Sequence, residues 1–338
     1  MSAREGDVKA MVINRFGGPE VFEPFEVPRP SPGPGEVLIK VAASSVNPVD
    51  YKVRCGRGAF LCPTFPAILH ADCAGHVAEV GPGVTAFAEG DGVYAFATGL
   101  GGKPGALADY MLADSEMVAK APTSIPLVEA AALPLVAVTT WYALYDYADI
   151  GPKQSLLVMG GTGGVGHVAV QMAKARGAYV VAVSGGADKC ALAKGLGADA
   201  VIDYRTAAPD DYAGFARSVG GFDFVFNTPG AASINAAVKA ASFGGTILDI
   251  LGQFPTEYGF QLKWLNFKSV FAATPIVDGT EKARVGHILA EVASLVDDAK
   301  LRPLIDERRF GFSEVGAAHE VAEHNSPTGK VLLTHDLS

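Results

Sequence analysis

Cysteine and positive charge are both scarce in this 338-residue sequence. It has four cysteines, at positions 55, 62, 73 and 190, and none of them forms a CxxC pair. The 27 lysines and arginines are outnumbered by 36 aspartates and glutamates, which gives a formal net charge of −9. Because the surface is not generally basic, we expect no nucleic-acid partner.

Long apolar runs are also missing. The longest uncharged stretches are 130–145, which contains Pro134 and is too short for a bilayer, and 154–173, which contains five glycines. Residues 1–9 carry acidic side chains and no apolar signal core. The sequence therefore predicts a protein of the reducing cytoplasm without a membrane segment.

Apolar residues nevertheless make up 49% of the chain, enough to form the cores of about two domains. Between residues 9 and 119, short β-branched runs alternate with glycine and proline. These runs are 10–13, 36–41, 75–80 and 91–96. Their spacing predicts a compact, mostly antiparallel β domain.

From about residue 126 onward, apolar strands alternate with helical patterns, as is typical of βαβ units. Between residues 165 and 176, apolar side chains recur at the spacing of one buried helix face, and Gly177 follows as a stop. Further elements are predicted as strands at 156–159, 179–183, 200–203, 222–226, 246–251 and 330–333, and as helices at 188–196, 231–241 and 284–296. We predict an α/β fold with a doubly wound parallel sheet.

A glycine-rich turn joins the strand at 156–159 to the next helix. Gly161, Gly163 and Gly166 fit GxGxxG in the strand, turn and helix context of a dinucleotide site. The first glycine allows a tight turn, the second lets the backbone approach a pyrophosphate, and the third lets the helix pack on the strand. The helix N-terminus offers N–H donors to the anion. The residues predicted to bind the cofactor here are Gly161, Thr162, Gly163, Gly164, Val165 and Gly166.

The second strand of the predicted sheet ends without the carboxylate that NAD-preferring folds offer to the adenine ribose. The sequence there is Val183-Ser184-Gly185-Gly186, and Lys189 follows within the next turn. A 2′-phosphate would meet no repulsion and would find a cationic partner in Lys189. The alternative for Lys189 is a solvated helix residue. We predict NADP(H) as the cofactor.

Several stretches occur in the order found in one protein family. They are Pro34–Val41, Asn47–Lys52, Gly81–Val84 with Gly90-Asp91, Leu133-Pro134 with Val138–Trp141, Gly197–Asp199 and Gly329–Val331. With the glycine turn, they resemble the medium-chain dehydrogenase/reductase superfamily, specifically its zinc-free quinone oxidoreductase branch, over nearly the whole chain. The resemblance implies a GroES-like β domain from residues 1–129 and 277–338, a Rossmann domain from 130–276, and a homodimer.

The resemblance also assigns roles to single residues. It places Asn47, Asp50 and Lys52 near the nicotinamide, with Lys52 as donor to its ribose or to developing oxyanion charge, and Asp72 at the border of the reaction site. The alternatives are a solvated lysine and a structural carboxylate. The catalytic residues so implied are Asn47, Lys52 and Asp72. The further cofactor contacts so implied are Thr139, Ser184, Lys189, Tyr204, Asn227, Thr228, Leu251 and Gly252.

Zinc-dependent members of this superfamily hold a catalytic metal with a cysteine, a histidine in a Gly-His-Glu element, and a mid-chain cysteine. This sequence departs from that pattern at each place. Asn47 stands at the first, Ala71 stands at the second, and no cysteine lies between Cys73 and Cys190.

One other set of soft or borderline ligands remains for a metal. Its members are Cys55, Cys62, His70, Cys73 and His76. Cys73 and His76 are three residues apart in a predicted strand and would point to opposite faces, so we expect no bound metal. His70 stands where relatives usually have glycine, and we expect it to intrude on the substrate cleft.

Without a metal ion, fewer reduction reactions are chemically plausible. Interconversion of a simple alcohol and ketone leaves alkoxide charge that an electrophile must stabilise. Hydride addition to a quinone or a conjugated C=C spreads that charge into a phenolate or enolate, for which hydrogen-bond donors and water suffice. The sequence predicts an NADPH-dependent reductase of quinones or α,β-unsaturated carbonyl compounds. An enoyl-thioester reductase and a crystallin-like cofactor-binding protein with little turnover are the alternatives.

Overall fold

A computed structural model describes residues 7–207, 214–216, 218–230, 233–252, 259–324 and 327–337. The chain divides into two compact units. The first comprises Met1–Leu135, Ala273–Ala299 and Pro303–Ser338, and the second comprises Val136–Ala272 and Lys300–Arg302. Each unit contains its own large sheet, so the predicted α/β class is confirmed.

The secondary structure includes fifteen strands and ten α-helices within the described residues. The strands are β1 (Asp7–Ile13), β2 (Phe22–Pro28), β3 (Glu36–Ser45), β4 (Asp72–Val80), β5 (Gly92–Phe96), β6 (Tyr110–Asp114), β7 (Val118–Lys120), β8 (Ser155–Met159), β9 (Tyr179–Ser184), β10 (Ala200–Asp203), β11 (Phe222–Asn227), β12 (Ala241–Asp249), β13 (Asn266–Ser269), β14 (Phe310–Gly311) and β15 (Leu332–Thr334). The helices are α1 (Pro48–Arg54), α2 (Leu127–Ala130), α3 (Pro134–Trp141), α4 (Gly166–Ala175), α5 (Ala187–Gly195), α6 (Ile234–Ala240), α7 (Gly259–Leu262), α8 (Thr274–Val277), α9 (Lys282–Asp297) and α10 (Val315–His324).

The first unit is the predicted β domain. Its main sheet runs β14-β15-β3-β4-β5-β7, with β6 also paired to β3, and β1 and β2 form a separate antiparallel pair. All pairings in the main sheet are antiparallel except that of β14 with β15. Helix α9 buries Val285, Ile288, Leu289, Val292 and Val296 along one stripe, as its helical spacing predicts.

The second unit is the predicted doubly wound domain. Its six strands are all parallel, in the order β10-β9-β8-β11-β12-β13. Because the order reverses direction between β8 and β11, a crevice opens at the carboxyl ends of these two strands. Strand β8 leads into the glycine-rich turn, and α4 begins at Gly166.

Several elements differ from the sequence prediction, among them the segment before β8, the helix after β11 and strand β13. The pattern that begins near residue 126 does not form one continuous helix: α2 ends before Pro134, α3 begins at it, and Tyr142–Tyr147 follows as a π-helix. The helix predicted at 231–241 is described as Ile234–Ala240, with residues 231 and 232 outside the described part of the chain. Strand β13 was not predicted, because Asn266, Lys268 and Ser269 leave it a single apolar residue.

No helix in the described ranges is both long and apolar enough to cross a bilayer.

Gly166 is required where α4 packs against the preceding turn. A Cβ added to this residue would lie 2.0 Å from the carbonyl oxygen of Gly160. We predict that Gly166→Ala destabilises the chain by about 1 to 3 kcal/mol through this overpacking, as measured by urea unfolding. Gly195, at the end of α5, is the matched control because a Cβ there meets nothing within 4 Å. Gly195→Ala should be neutral or slightly stabilising, and equal losses in both variants would contradict this interpretation.

Candidate functional site

The glycine turn of the second unit is closed by backbone hydrogen bonds. The N–H groups of Gly160 and Gly161 both donate to the carbonyl of Val183, at 3.1 and 2.8 Å, so the turn is fixed to the end of β9. The N–H of Gly163 donates to the carbonyl of Gly160 at 2.9 Å. The N-terminus of α4 follows directly, and the positive end of its helix dipole lies at the crevice, where it can bind an anion.

The carboxyl ends of β11 and β12 carry the other residues predicted to line the crevice. Asn227 donates from Nδ2 to Asp249 at 2.8 Å and accepts from the Ser233 hydroxyl at 2.5 Å, while Thr228 donates to the carbonyl of Met159 at 2.6 Å. Leu251 and Gly252 follow β12, and the N–H of Leu251 donates to Asp249 at 2.9 Å. The structure therefore brings these residues to the same sheet edge as the glycine turn. Thr139 is a buried residue of α3.

The end of β9 forms a polar corner. Ser184 is 2% exposed, and its hydroxyl has no hydrogen-bond partner among the described residues. The ring of Tyr204 lies over Gly185, because a Cβ added to Gly185 would be 2.5 to 2.6 Å from the ring and its hydroxyl. Lys189 lies in the first turn of α5. An orphaned buried hydroxyl beside a helix N-terminus and a lysine fits the phosphorylated ribose of NADP(H).

In the first unit, Asn47 and Asp72 belong to one buried cluster. Asn47 and Asp72 are 1% and 0% exposed, and Asn47 Nδ2 donates to Asp72 Oδ2 at 2.7 Å. Ser45 donates to the same oxygen at 2.8 Å, and the N–H of Leu135 donates to Asp72 Oδ1 at 2.8 Å. Three donors therefore converge on the Asp72 carboxylate, one on Oδ1 and two on Oδ2.

Lys330 supplies the positive charge of this cluster. Its Nζ donates to the carbonyl of Val46 at 3.0 Å, to Asn47 Oδ1, and to Asp72 Oδ2 at 3.3 Å. Three acceptors match the three N–H groups of an ammonium, whereas a neutral amine has two. Burial lowers the pKa of Lys330, and the charges of Asp72 and Asp50 oppose that shift. Sequence analysis missed this role and used Lys330 only as part of a family motif.

Asp50 completes the cluster from α1. Asn47 and Asp50 form a capping box at the helix N-terminus, in which the N–H of Asn47 donates to Asp50 Oδ2 at 2.7 Å. Burial raises the pKa of Asp50 from 3.8 to about 7. Asp50 Oδ1 is buried and has no partner within the described residues. The same helix carries Lys52 in its last turn.

Lys52 is half-buried, whereas the members of the cluster, Asn47, Asp50, Asp72 and Lys330, are buried. Burial, followed by repulsion from Arg57, lowers the pKa of its ammonium. A half-buried lysine with a lowered pKa is a suitable proton or hydrogen-bond donor to developing negative charge.

His70 does not behave as expected from the sequence. Its side chain is fully buried, with Nε2 2.8 Å from Nε2 of His319 and Nδ1 3.1 Å from the hydroxyl of Ser44. The expectation that it projects into a substrate cleft was wrong, because His319 and Ser44 hold the ring inside the first unit. Burial lowers the pKa of His70 to about 3, so the ring is neutral. Its φ of 72° explains why glycine suits this position.

The alternative metal ligands are not brought together. Cys73 is buried and His76 is exposed, as their opposite orientation in β4 requires. No group of three or more potential ligands that could hold a metal is found in the described part of the chain. The four cysteines, Cys55, Cys62, Cys73 and Cys190, are free thiols.

Comparison with known proteins covers both units. Residues 33–123 match the family model of the alcohol dehydrogenase GroES-like domain, and residues 164–270 match that of zinc-binding dehydrogenases. The second match does not include Asn47, Asp72 or Lys330.

Similarity to individual proteins extends over nearly the whole chain. A chloroplast envelope quinone oxidoreductase homolog of Arabidopsis thaliana is 33% identical over 333 residues, covering 96% of this chain and 97% of that protein. An NADPH-dependent alkenal/one oxidoreductase of the same plant is 32% identical over 338 residues, covering 97% and 79%. A solved alcohol dehydrogenase superfamily protein from Novosphingobium aromaticivorans is 34% identical, with a TM-score of 0.91 and coverage of 98% and 100%.

Removing the buried cation should be costly. We predict that Lys330→Met lowers the free energy of unfolding by about 3 to 5 kcal/mol, because it leaves the Asp72 carboxylate buried without its counter-ion. The double variant Lys330→Met/Asp72→Asn should recover part of that loss, since it removes the orphaned charge. Urea unfolding of both variants measures the effect. A double variant no more stable than Lys330→Met alone would show that charge pairing is not the cause.

The raised pKa of Asp50 predicts a pH-dependent stability. Between about pH 4 and pH 7 the folded chain retains a proton that the unfolded chain has lost, so the contribution of Asp50 to stability falls as pH rises through this window. The free energy of unfolding of Asp50→Asn, relative to that of the natural chain, should therefore rise by about 2 kcal/mol from pH 5 to pH 7. The exposed Glu89→Gln is the control. A difference that is constant with pH would refute the assignment.

Proposed function

Because this chain belongs to the medium-chain dehydrogenase/reductase superfamily, we propose that it reduces quinones or α,β-unsaturated carbonyl compounds with NADPH. The relatives named above as a quinone oxidoreductase homolog and an NADPH-dependent alkenal/one oxidoreductase support this substrate class. The observation that carries the cofactor choice is the corner at Ser184, where an orphaned hydroxyl and Lys189 stand in place of a ribose-binding carboxylate.

The second unit holds the cofactor in this proposal. Backbone N–H groups of the glycine turn and of the first turn of α4 bind the pyrophosphate. The 2′-phosphate contacts Ser184, Lys189 and Tyr204. The residues proposed to line the remainder of the groove are Thr139, Asn227, Thr228, Leu251 and Gly252.

When bound, NADPH supplies the hydride that reduces the acceptor. The first unit contributes the groups that orient the acceptor and receive its charge. We assign the donor role to Lys52, whose half-buried ammonium suits a hydrogen bond to enolate or phenolate oxygen. Asn47 and Asp72 are too deeply buried to contact an acceptor directly, so we assign them the positioning of α1.

The donor set at Asn47 and Asp72 supports a reaction without metal. Both side chains already share the ammonium of Lys330, so a metal ion would have to displace a buried cation. The sequence has alanine at position 71, where a zinc-dependent relative has its histidine ligand. Enolate and phenolate charge is delocalised, and a hydrogen-bond donor suffices to stabilise it.

Two further proposals concern assembly and location. Strand β13 is an edge strand of its sheet, and Phe243, Leu262 and Trp264 are 65%, 68% and 74% exposed in the same unit. Edge pairing with a second copy would cover such a surface, which supports a homodimer. The four free cysteines support a reducing compartment such as the cytoplasm.

Turnover by the purified full chain tests the function. NADPH oxidation is followed with a quinone, with cyclohexenone, and with cyclohexanone as the matched saturated control, after exhaustive chelation and metal analysis. We expect turnover of the quinone and the enone, none of cyclohexanone, and no loss on chelation. Faster reduction of crotonyl thioester would instead establish an enoyl-thioester reductase. Tight NADPH binding without turnover would indicate a binding protein, and activity lost with removed zinc would overturn the metal-free mechanism.

A further inference from the structure

A second cation stands at the corner after β9. A Cβ added to Gly186 would lie 3.1 Å from Nη1 of Arg205, so the guanidinium packs against the residue that precedes α5. Gly186 has a φ of +88°, in the left-handed region that favours glycine. Arg205 is an exposed residue two positions beyond the end of β10, and the sequence pattern did not single it out.

The backbone holds Arg205 at this corner. A single carboxylate oxygen of Asp203, Oδ1, accepts from the N–H groups of both Gly186 and Arg205, at 2.9 Å each. The N–H of Tyr204 donates to the carbonyl of Ser184 at 3.0 Å. Two hydrogen bonds, from Gly186 to Asp203 and from Tyr204 to Ser184, thereby hold the loop after β10 against the turn after β9.

The formal charges near this corner balance only when Arg205 is counted. Asp188 and Lys189 lie in the first turn of α5, and Asp203 lies at the end of β10. The two carboxylates would exceed the charge of Lys189 alone and give a net negative corner. Arg205 brings these four formal charges to balance, which leaves the N-terminus of α5 and the buried Ser184 hydroxyl free to attract an anion.

We propose that Arg205 is a second cationic ligand of the 2′-phosphate and, together with Lys189, determines the preference for NADP(H) over NAD(H). This inference rests on the proposed function. A guanidinium offers a planar fork of N–H donors that suits two phosphate oxygens, whereas the lysine ammonium acts as a point charge. The hydrogen bond from the Arg205 N–H to Asp203 restricts the backbone of Arg205, so less backbone conformational entropy is lost when the ligand binds.

The same side chain has one competing use, since a guanidinium also stacks on an adenine ring. The two uses predict different ligand dependence. A phosphate ligand acts only on nucleotides that carry the 2′-phosphate, while a stacking residue acts on every adenine nucleotide.

Calorimetric binding of 2′,5′-ADP and 5′-AMP to the full chain separates these cases without turnover. For Arg205→Ala we expect about tenfold weaker binding of 2′,5′-ADP and less than about twofold change for 5′-AMP. Arg205→Lys should lie between the natural chain and Arg205→Ala, and Lys189→Ala should resemble Arg205→Ala. The dependence of 2′,5′-ADP affinity on salt should become shallower in Arg205→Ala. Lys153→Ala, an exposed lysine in the turn before β8, is the control and should change neither affinity.

Three results would overturn the proposal. If the natural chain prefers 2′,5′-ADP and Arg205→Ala shows the same preference, Arg205 is not a ligand of the 2′-phosphate, although the proposed NADP(H) specificity stands. Equal weakening of both nucleotides would assign Arg205 to the adenine ring. A natural chain that binds both nucleotides equally would remove the NADP(H) preference itself, and the role of Arg205 with it.

Discussion

The buried cluster of the first unit depends on the hydrogen bonds that the Lys330 ammonium donates. Lys330 is 3% exposed, and it donates to a main-chain carbonyl, an amide oxygen and a carboxylate that are themselves buried. Buried acceptors of this kind are costly unless a cation satisfies them. Asn47 in turn caps α1, so one charge in the interior fixes the start of the helix that carries Lys52. A built-in cation thus stands among the residues where a zinc-dependent relative would hold its metal.

In the second unit, main-chain groups and side chains have separate roles. We propose that this unit binds a charged cofactor through main-chain N–H groups, which cannot be changed by side-chain substitution and need only glycines where the turn is tight. Side chains contribute at the end of β9, where we propose that Ser184, Lys189, Tyr204 and Arg205 determine which ribose is accepted. The general binding of a dinucleotide and the choice between dinucleotides are therefore encoded separately, the first in backbone geometry and the second in a few charges.

The sequence predicted features that depend on local spacing. The turn at Gly161–Gly166, helix α4 and the parallel strands all follow from patterns within a few dozen residues, and the structure confirms them. Contacts between distant segments were not predicted. Lys330 is 283 residues from Asn47, and His319 is 249 residues from His70, so neither pairing leaves a local signal. Arg205 was missed for the same reason, because its proximity to Gly186 depends on the pairing of β9 with β10.

We propose that the buried ammonium of Lys330, and not a metal ion, holds the Asn47–Asp72 cluster together. The most direct test is a nitrogen-15 NMR spectrum of the lysine-labelled chain at neutral pH. We expect one ammonium signal that exchanges slowly with solvent, disappears in Lys330→Arg and does not shift on addition of zinc. A Lys330 signal with the shift of a neutral amine, or one displaced by stoichiometric zinc, would contradict it.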